Sequence, residues 1–139
     1  MMGKTAPIVS EDLTAEDWRG LLGAYPNALL IGPSDATERV VDALLPQLHQ
    51  PICRSACRGL SLPENPGGTL ILENVAALSA ADQQRLFEWM IEPERHTQVV
   101  ATSPSAVFPR VTNGSFLDVL YYRLNVMSFT LGAGTGRAT

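Results

Sequence analysis

Short apolar runs recur along the chain, and each is followed by a polar or glycine-containing break and then by residues at helical spacing. The most pronounced lies in Gly67-Gly68-Thr69-Leu70-Ile71-Leu72-Glu73-Asn74-Val75. Three consecutive aliphatics entered by a Gly-Gly pair predict a strand covered on both faces, as in a parallel sheet. The run stops at Glu73 and Asn74, at the carboxyl end of the strand, where open α/β sheets place their ligands. By itself the pattern fits equally a core strand followed by a polar turn. Ala28-Leu29-Leu30-Ile31 is a second such run, and residues 51–57, 98–102 and 126–131 are further candidate strands.

Between these runs the period changes from two to 3.6. Thr14 is placed to cap a helix with Glu16 and Asp17 in its first turn. Trp18, Leu21 and Leu22 mark its buried face, and Gly23 and Pro26 end it. After Ile31 a glycine-containing loop leads into a helix carrying Val40, Val41, Leu44 and Leu45, which weakens at Pro46. Asp35 and Glu38 have capping-box spacing, which predicts Asp35 as the N-cap and Glu38 at N3. Ser79 and Asp82 have the same spacing ahead of Leu86, Phe87, Met90 and Ile91. Trp89 is expected to pack at the border of that face, and Pro93 closes the helix. Residues 114–124 predict a last helix with Phe116, Leu117, Leu120, Tyr121 and Leu124 largely inward. Residues 61–67 read as a Pro/Gly/Asn loop, residues 1–10 as a loose tail and residues 132–139 as a flexible one. Strands alternating with helices imply an α/β sandwich with a mainly parallel, about five-stranded sheet.

Composition narrows the functional classes. At 139 residues, with 45% hydrophobic and 17% charged residues, the chain is expected to form one globular domain. A net charge of −4 with scattered basic residues gives no nucleic-acid surface. No run reaches membrane-spanning length and no signal-peptide h-region is present, so a cytoplasmic location is expected. Cys53 and Cys57 lie about 13 Å apart at strand rise, too far for a disulfide. His49 and His96 are distant in sequence, so neither zinc nor another metal is expected; buried or half-buried thiols are.

The loop after Ile31 has the strand–loop–helix layout of a phosphate-binding loop. That chemistry needs a glycine-rich backbone around the phosphates, a Lys for their charge and a Ser or Thr for magnesium. Gly32 fits the first position. Thr37 stands at the second Gly position, Glu38 at the Lys position and Arg39 at the Ser/Thr position. An ordinary capped helix accounts for these residues better than a phosphate site does.

Four segments, in order, resemble a known family. Phe116-Leu117-Asp118-Val119-Leu120-Tyr121-Tyr122-Arg123-Leu124-Asn125-Val126 resembles the FREDLYYRLNV segment of sigma-54-dependent transcriptional activators, the enhancer-binding AAA+ ATPases. Residues 68–75 resemble their Walker B segment, GTLFLDEI. Residues 30–39 are similar in place to their Walker A, and Cys57-Arg58-Gly59-Leu60 is similar to their NCAAL segment. The resemblance spans about residues 22–131, leaving residues 1–21 as an N-terminal tail and helix. It implies a P-loop NTPase-like three-layer sandwich, ATP binding and remodelling of RNA polymerase by a ring.

The departures from that pattern set the functional expectation. Glu38 replaces the Walker A Lys, Glu73 the Walker B Asp, and Asn74 the catalytic Glu. The sensor position falls near Ser103. Of two family arginines that reach a neighbour's nucleotide, one position is Leu117 and the other is Arg123. The sigma-54-touching GAFTGA arm is replaced by a short loop, with residues 57–69 near the minimum for a parallel crossover. The lid, receiver and helix-turn-helix domains are expected to be absent. Gly32, Thr37, Glu38, Arg39, Glu73, Asn74 and Ser103 thus form a vestigial nucleotide site, with no catalytic residue, metal or cofactor expected. A contact module in transcriptional regulation or two-component signalling is the leading expectation. Its partner would be a sigma-54 activator or response regulator docked around Arg123, Tyr121 and Tyr122. Homodimerisation through apolar surface uncovered by the missing lid is the other contact weighed. ATP and Mg binding without hydrolysis, a working Mg-ATPase and a functionless remnant are the alternatives.

Overall fold

The computed structural model describes residues 13–132. The expected tail at residues 1–10, and all but Gly132 of the one expected at residues 132–139, lie outside them. Five strands, β1 (Ala28–Ile31), β2 (Ile52–Ala56), β3 (Thr69–Glu73), β4 (Gln98–Ser103) and β5 (Met127–Thr130), form one sheet in the order β2-β3-β4-β1-β5. Every pairing in it is parallel. Five α-helices accompany them: α1 (Ala15–Gly23), α2 (Ser34–Leu44), α3 (Ala80–Met90), α4 (Phe108–Thr112) and α5 (Asp118–Leu124). No helix among the described residues is long and apolar enough to cross a membrane.

Continuous apolar strands need cover on both faces, and the helices supply it. On one face Trp18 and Leu21 of α1 and Val40, Val41 and Leu44 of α2 pack with Leu30, Ile71 and Val100. On the other, Leu86 and Trp89 of α3 and Leu120 and Leu124 of α5 pack with Leu29, Leu70, Leu72 and Val99. Leu70, Ile71 and Leu72 are fully buried, each side chain contributing roughly 2 kcal/mol of transfer free energy as an upper bound. The three layers are those expected.

The connection from β2 to β3 is made without a helix. Gly68 makes it fit: its φ is +81°, and a Cβ there would run into the carbonyl oxygen and ring of Pro51. The Gly-Gly entry to the central run thus allows β2 and β3 to begin side by side. Cys57, expected inside the strand, lies just past its end, where its N–H donates to the carbonyl of Glu73 at 3.3 Å.

Local capping explains where the helices begin, and three expectations need correction. Thr14 and Asp17 form a reciprocal capping box, and Ser79 caps α3. Asp35 does not cap α2: the helix already begins at Ser34, after Pro33, with no side-chain cap. The last helix starts at Asp118 rather than at residue 114. Residues 113–117 form a turn instead, because the buried Gln83 amide binds the carbonyls of Leu78 and Ser115 and the N–H of Leu117. Ile91 is not on the buried face of α3; it sits at the C-cap and is exposed.

Candidate functional site

A cavity of about 330 Å³ opens at the carboxyl ends of β1, β3 and β4, where an open parallel sheet places its ligands. Gly32, Thr37, Glu38, Glu73, Asn74 and Ser103 all line it, together with Thr102. Arg39 does not. It points along the exposed side of α2 and pairs with Asp35 at 3.5 Å.

The backbone at the cavity mouth is already engaged. Because α2 begins at Ser34, the amides of Ala36 and Thr37 donate to the Pro33 carbonyl at 2.9 and 3.0 Å. The Thr37 hydroxyl donates to the Ser34 carbonyl. The Gly32 amide donates to the carbonyl of Ser103 at 3.0 Å, inside the sheet. Gly32 is required for packing as well, since a Cβ would stand 2.6 Å from the Leu131 carbonyl oxygen. A phosphate-binding loop wraps its anion with free amides; these amides are spent on the helix and the sheet.

The side chains carry the wrong charge for a phosphate and hold their own counter-ion. Arg54, on β2, reaches across the strand ends. Its Nε and Nη2 donate to Glu73 Oε2 at 3.1 and 2.5 Å, and Nη2 also donates to both Glu38 oxygens at 3.2 and 3.1 Å. Glu38 and Glu73, the positions expected for the Walker A Lys and Walker B Asp, are thus tied together by one guanidinium. The hydrogen bonds to Glu73 and then Glu38 raise the Arg54 pKa further against the opposing effect of burial, so the group stays charged. Two carboxylates and one guanidinium leave the cluster at −1, repulsive to a triphosphate.

Asn74 and Ser103 also have local roles. Asn74 adopts a left-handed conformation (φ 64°, ψ 65°) that turns the chain from β3 into the short 3₁₀ turn Val75–Ala77. Asparagine tolerates that conformation better than glutamate does. Its N–H donates to Thr102 Oγ1 at 3.1 Å. Ser103 is buried, and its hydroxyl donates to the Ser105 carbonyl at 2.5 Å. Among the described residues no group of three or more His, Cys, Asp or Glu is arranged to hold a metal. Cys53 and Cys57 are both free, Cys53 half-buried and Cys57 buried.

The expected contact residues lie on the far side of α5. Tyr121 is half-buried, its ring tilted against Phe108 and edge-on to Tyr122, and its hydroxyl accepts from Asn125 Nδ2 at 3.3 Å. Tyr122 and Arg123 face outward and line a depression of about 510 Å³ with Val119, Val126 and Phe87.

Sequence reasoning passed over Arg54 and Arg95. Arg54 sits in a weak strand with no partner nearby in sequence; the one signal is a cation on the strand beside the one that ends in Glu73. Arg95 lies over Trp89, 3.9 Å from the ring centroid, and its side chain is only 6% exposed. It donates to the carbonyls of Trp89 and Asn65 and pairs with Glu92. Trp89 Nε1 donates to the Pro63 carbonyl. These bonds fasten the two short loops, residues 61–67 and 92–97, to each other.

The family model of the sigma-54 interaction domain matches residues 28–133. No curated protein matches the chain. Among solved structures, NtrX from Brucella abortus in complex with ATP is similar over 91% of this chain and 37% of its own, at TM-score 0.70 and 15% identity. Another NtrX structure from that organism has TM-score 0.66 and 17% identity over 91% of this chain and 37% of its own. The P-loop NTPase domain of a sigma-54 transport activator from E. coli has TM-score 0.55 and 15% identity over 84% of this chain and 92% of its own. The chain spans a little over a third of NtrX. At these identities the likeness shows the fold, a P-loop NTPase-like α/β core.

Proposed function

The chain belongs to the sigma-54 interaction domain family, and we propose that it works by protein contact rather than by ATP hydrolysis. The observation that carries this reading is the bridge from Glu38 through Arg54 to Glu73. Phosphoryl transfer depends on a cation at the β- and γ-phosphates, a bound magnesium and a group that orients the attacking water. Here a carboxylate stands at the first position, a guanidinium occupies the neighbourhood of the second, and Asn74 at the third cannot take a proton. Pre-engaged amides at the start of α2 support the same reading.

The setting is transcriptional regulation or two-component signalling, in the cytoplasm. This step rests on the family and on fold analogy. The partners that fit are an activator of the same family, a response regulator and a second copy of the chain.

Calorimetric titration of Mg-ATP and Mg-ADP at millimolar nucleotide tests the proposal. The expected outcome is no binding tighter than about 0.1 mM, that is, less than roughly 5 kcal/mol. The open cavity favours one other reading, nucleotide binding without turnover. In that case the titration gives heat and Mg-ATP raises the melting temperature, with no phosphate released.

A further inference from the structure

We propose that Asn113–Gly114 is a self-modification site, at which Asn113 is converted to aspartate and isoaspartate through a cyclic imide, and that a clamp made by Gln83 sets the rate. The site is the turn between α4 and α5. None of its residues lines the strand-end cavity, and it does not depend on the contact reading above.

An asparagine followed by glycine carries its own nucleophile. The glycine nitrogen, once hydroxide has taken its proton, attacks Cγ of the asparagine side chain. The N–Cγ bond forms, the Cγ–Nδ2 bond breaks, and Nδ2 takes a proton from water and leaves as ammonia. Water then opens the imide at one carbonyl or the other, giving aspartate or isoaspartate. Overall one water is consumed and one ammonia released, and no oxidant or cofactor is needed. Glycine brings no side chain to obstruct the attack. The other asparagines of the chain precede Ala28, Pro66, Val75 and Val126; the proline has no N–H to lose, and the other three carry a Cβ beside the attacking nitrogen.

The structure leaves this pair open to water and closes it by backbone conformation. Asn113, Gly114 and Ser115 are all exposed. A Cβ at Gly114 would meet nothing within 4 Å. Asn113 has ψ 1°, which turns the Gly114 nitrogen away from the Asn113 side chain, so the imide cannot form until the turn opens. Local bonds oppose that opening. The Gly114 N–H donates to the Val111 carbonyl at 3.1 Å, and the Ser115 N–H is shared between the Arg110 carbonyl at 2.8 Å and Asn113 Oδ1 at 2.9 Å. Gln83 holds the far side of the turn from α3. Its Nε2 donates to the Ser115 carbonyl at 3.1 Å and its Oε1 accepts from the Leu117 N–H at 2.8 Å. The rate of modification therefore follows the population of the open turn, which Gln83 keeps small. Isoaspartate carries the main chain through an added methylene. That lengthens the link between α4 and the residues Gln83 anchors, and it displaces the start of α5 irreversibly.

Incubation of the full chain at mildly alkaline pH, followed by peptide mapping with mass detection and enzymatic methylation of isoaspartate, tests the proposal. Modification is expected at Asn113, with Asn27, Asn65, Asn74 and Asn125 intact, and it should slow at mildly acidic pH. Gln83→Leu removes both bonds to the turn and, checked for folding by circular dichroism, should speed the reaction about tenfold or more. Deuterium exchange at the Gly114 amide should quicken in the same proportion, which separates opening of the turn from unfolding of the chain. In the parent chain, low urea should raise the two rates together, so the clamp is tested even where Gln83→Leu does not fold. Asn113→Asp keeps an acceptor for the Ser115 N–H and should melt near the parent chain, whereas the purified isoaspartate form should melt lower. An Asn113 that stays intact in the folded chain while the urea-unfolded chain reacts overturns the proposal, as does equal reaction at the other asparagines. A rate that ignores both Gln83→Leu and the exchange of Gly114 overturns the clamp.

Discussion

At the scale of single residues, the side chains at the strand ends have local physical reasons. Asn74 makes the left-handed turn, Gly32 makes room for Leu131, and Arg54 pairs with both Glu38 and Glu73. The side chains of Arg54, Glu38 and Glu73 are 34%, 50% and 44% exposed, so solvent screens the cluster and its contribution is modest. Arg54→Met is expected to lower stability by about 1 kcal/mol. Urea unfolding should show that difference shrinking as salt is raised. Cys57 gives a pH signature of the opposite kind. Burial, followed by the negative charges of Glu73 and Asp82, pushes its thiol up to about 12. The folded chain holds that proton while the unfolded chain releases it near pH 9, so stability present below that pH is lost as pH rises towards 12. The loss approaches about 1.4 kcal/mol per pH unit within that window. Unfolding followed against pH should show it in the parent chain and not in Cys57→Ala.

At the scale of elements, apolar runs and caps were readable because they are local. β1, β3, β4, α1 and α3 follow from patterns within a dozen residues. Three features were not readable: two are set by a distant partner, and in the third one local signal overrode another. The start of α5 is fixed by Gln83, which is on α3. The early start of α2 follows from Pro33 directly before it and leaves Glu38 for Arg54, so the Asp35–Glu38 spacing was a false capping signal. The fastening of residues 61–67 to 92–97 depends on Arg95, whose surroundings at sequence level look like an ordinary charged loop. Removing a largely buried cation takes away the partner of Glu92 and of the Asn65 loop carbonyl, and empties the space over Trp89. Arg95→Ala is expected to cost about 2–3 kcal/mol, and limited proteolysis should then cut first within residues 61–67.

At the scale of the molecule, the parallel sheet was legible because alternation of buried strands with amphipathic helices admits few topologies. Four ordered motifs named its family from residues the core must keep, the Leu70–Leu72 run and the Leu120–Leu124 face among them. The cavity was legible only as a list of positions. That two of its carboxylates share one guanidinium required Arg54, which sequence distance conceals. The exposure of Val119 and Val126 was likewise hidden, because both are indistinguishable in sequence from core residues until Leu120 and Leu124 have filled the inner face.

The tie from α2 through Arg54 to β3 has a consequence for how the domain responds to its surroundings. When a diffusible ligand joins two elements, their closure follows that ligand's concentration by mass action. A side chain tethered on the adjacent strand is present at a fixed effective concentration, whatever the solution contains. The joining of α2 to β3 through Arg54 therefore draws on no ligand's concentration, and ionic strength is an external variable that tunes it.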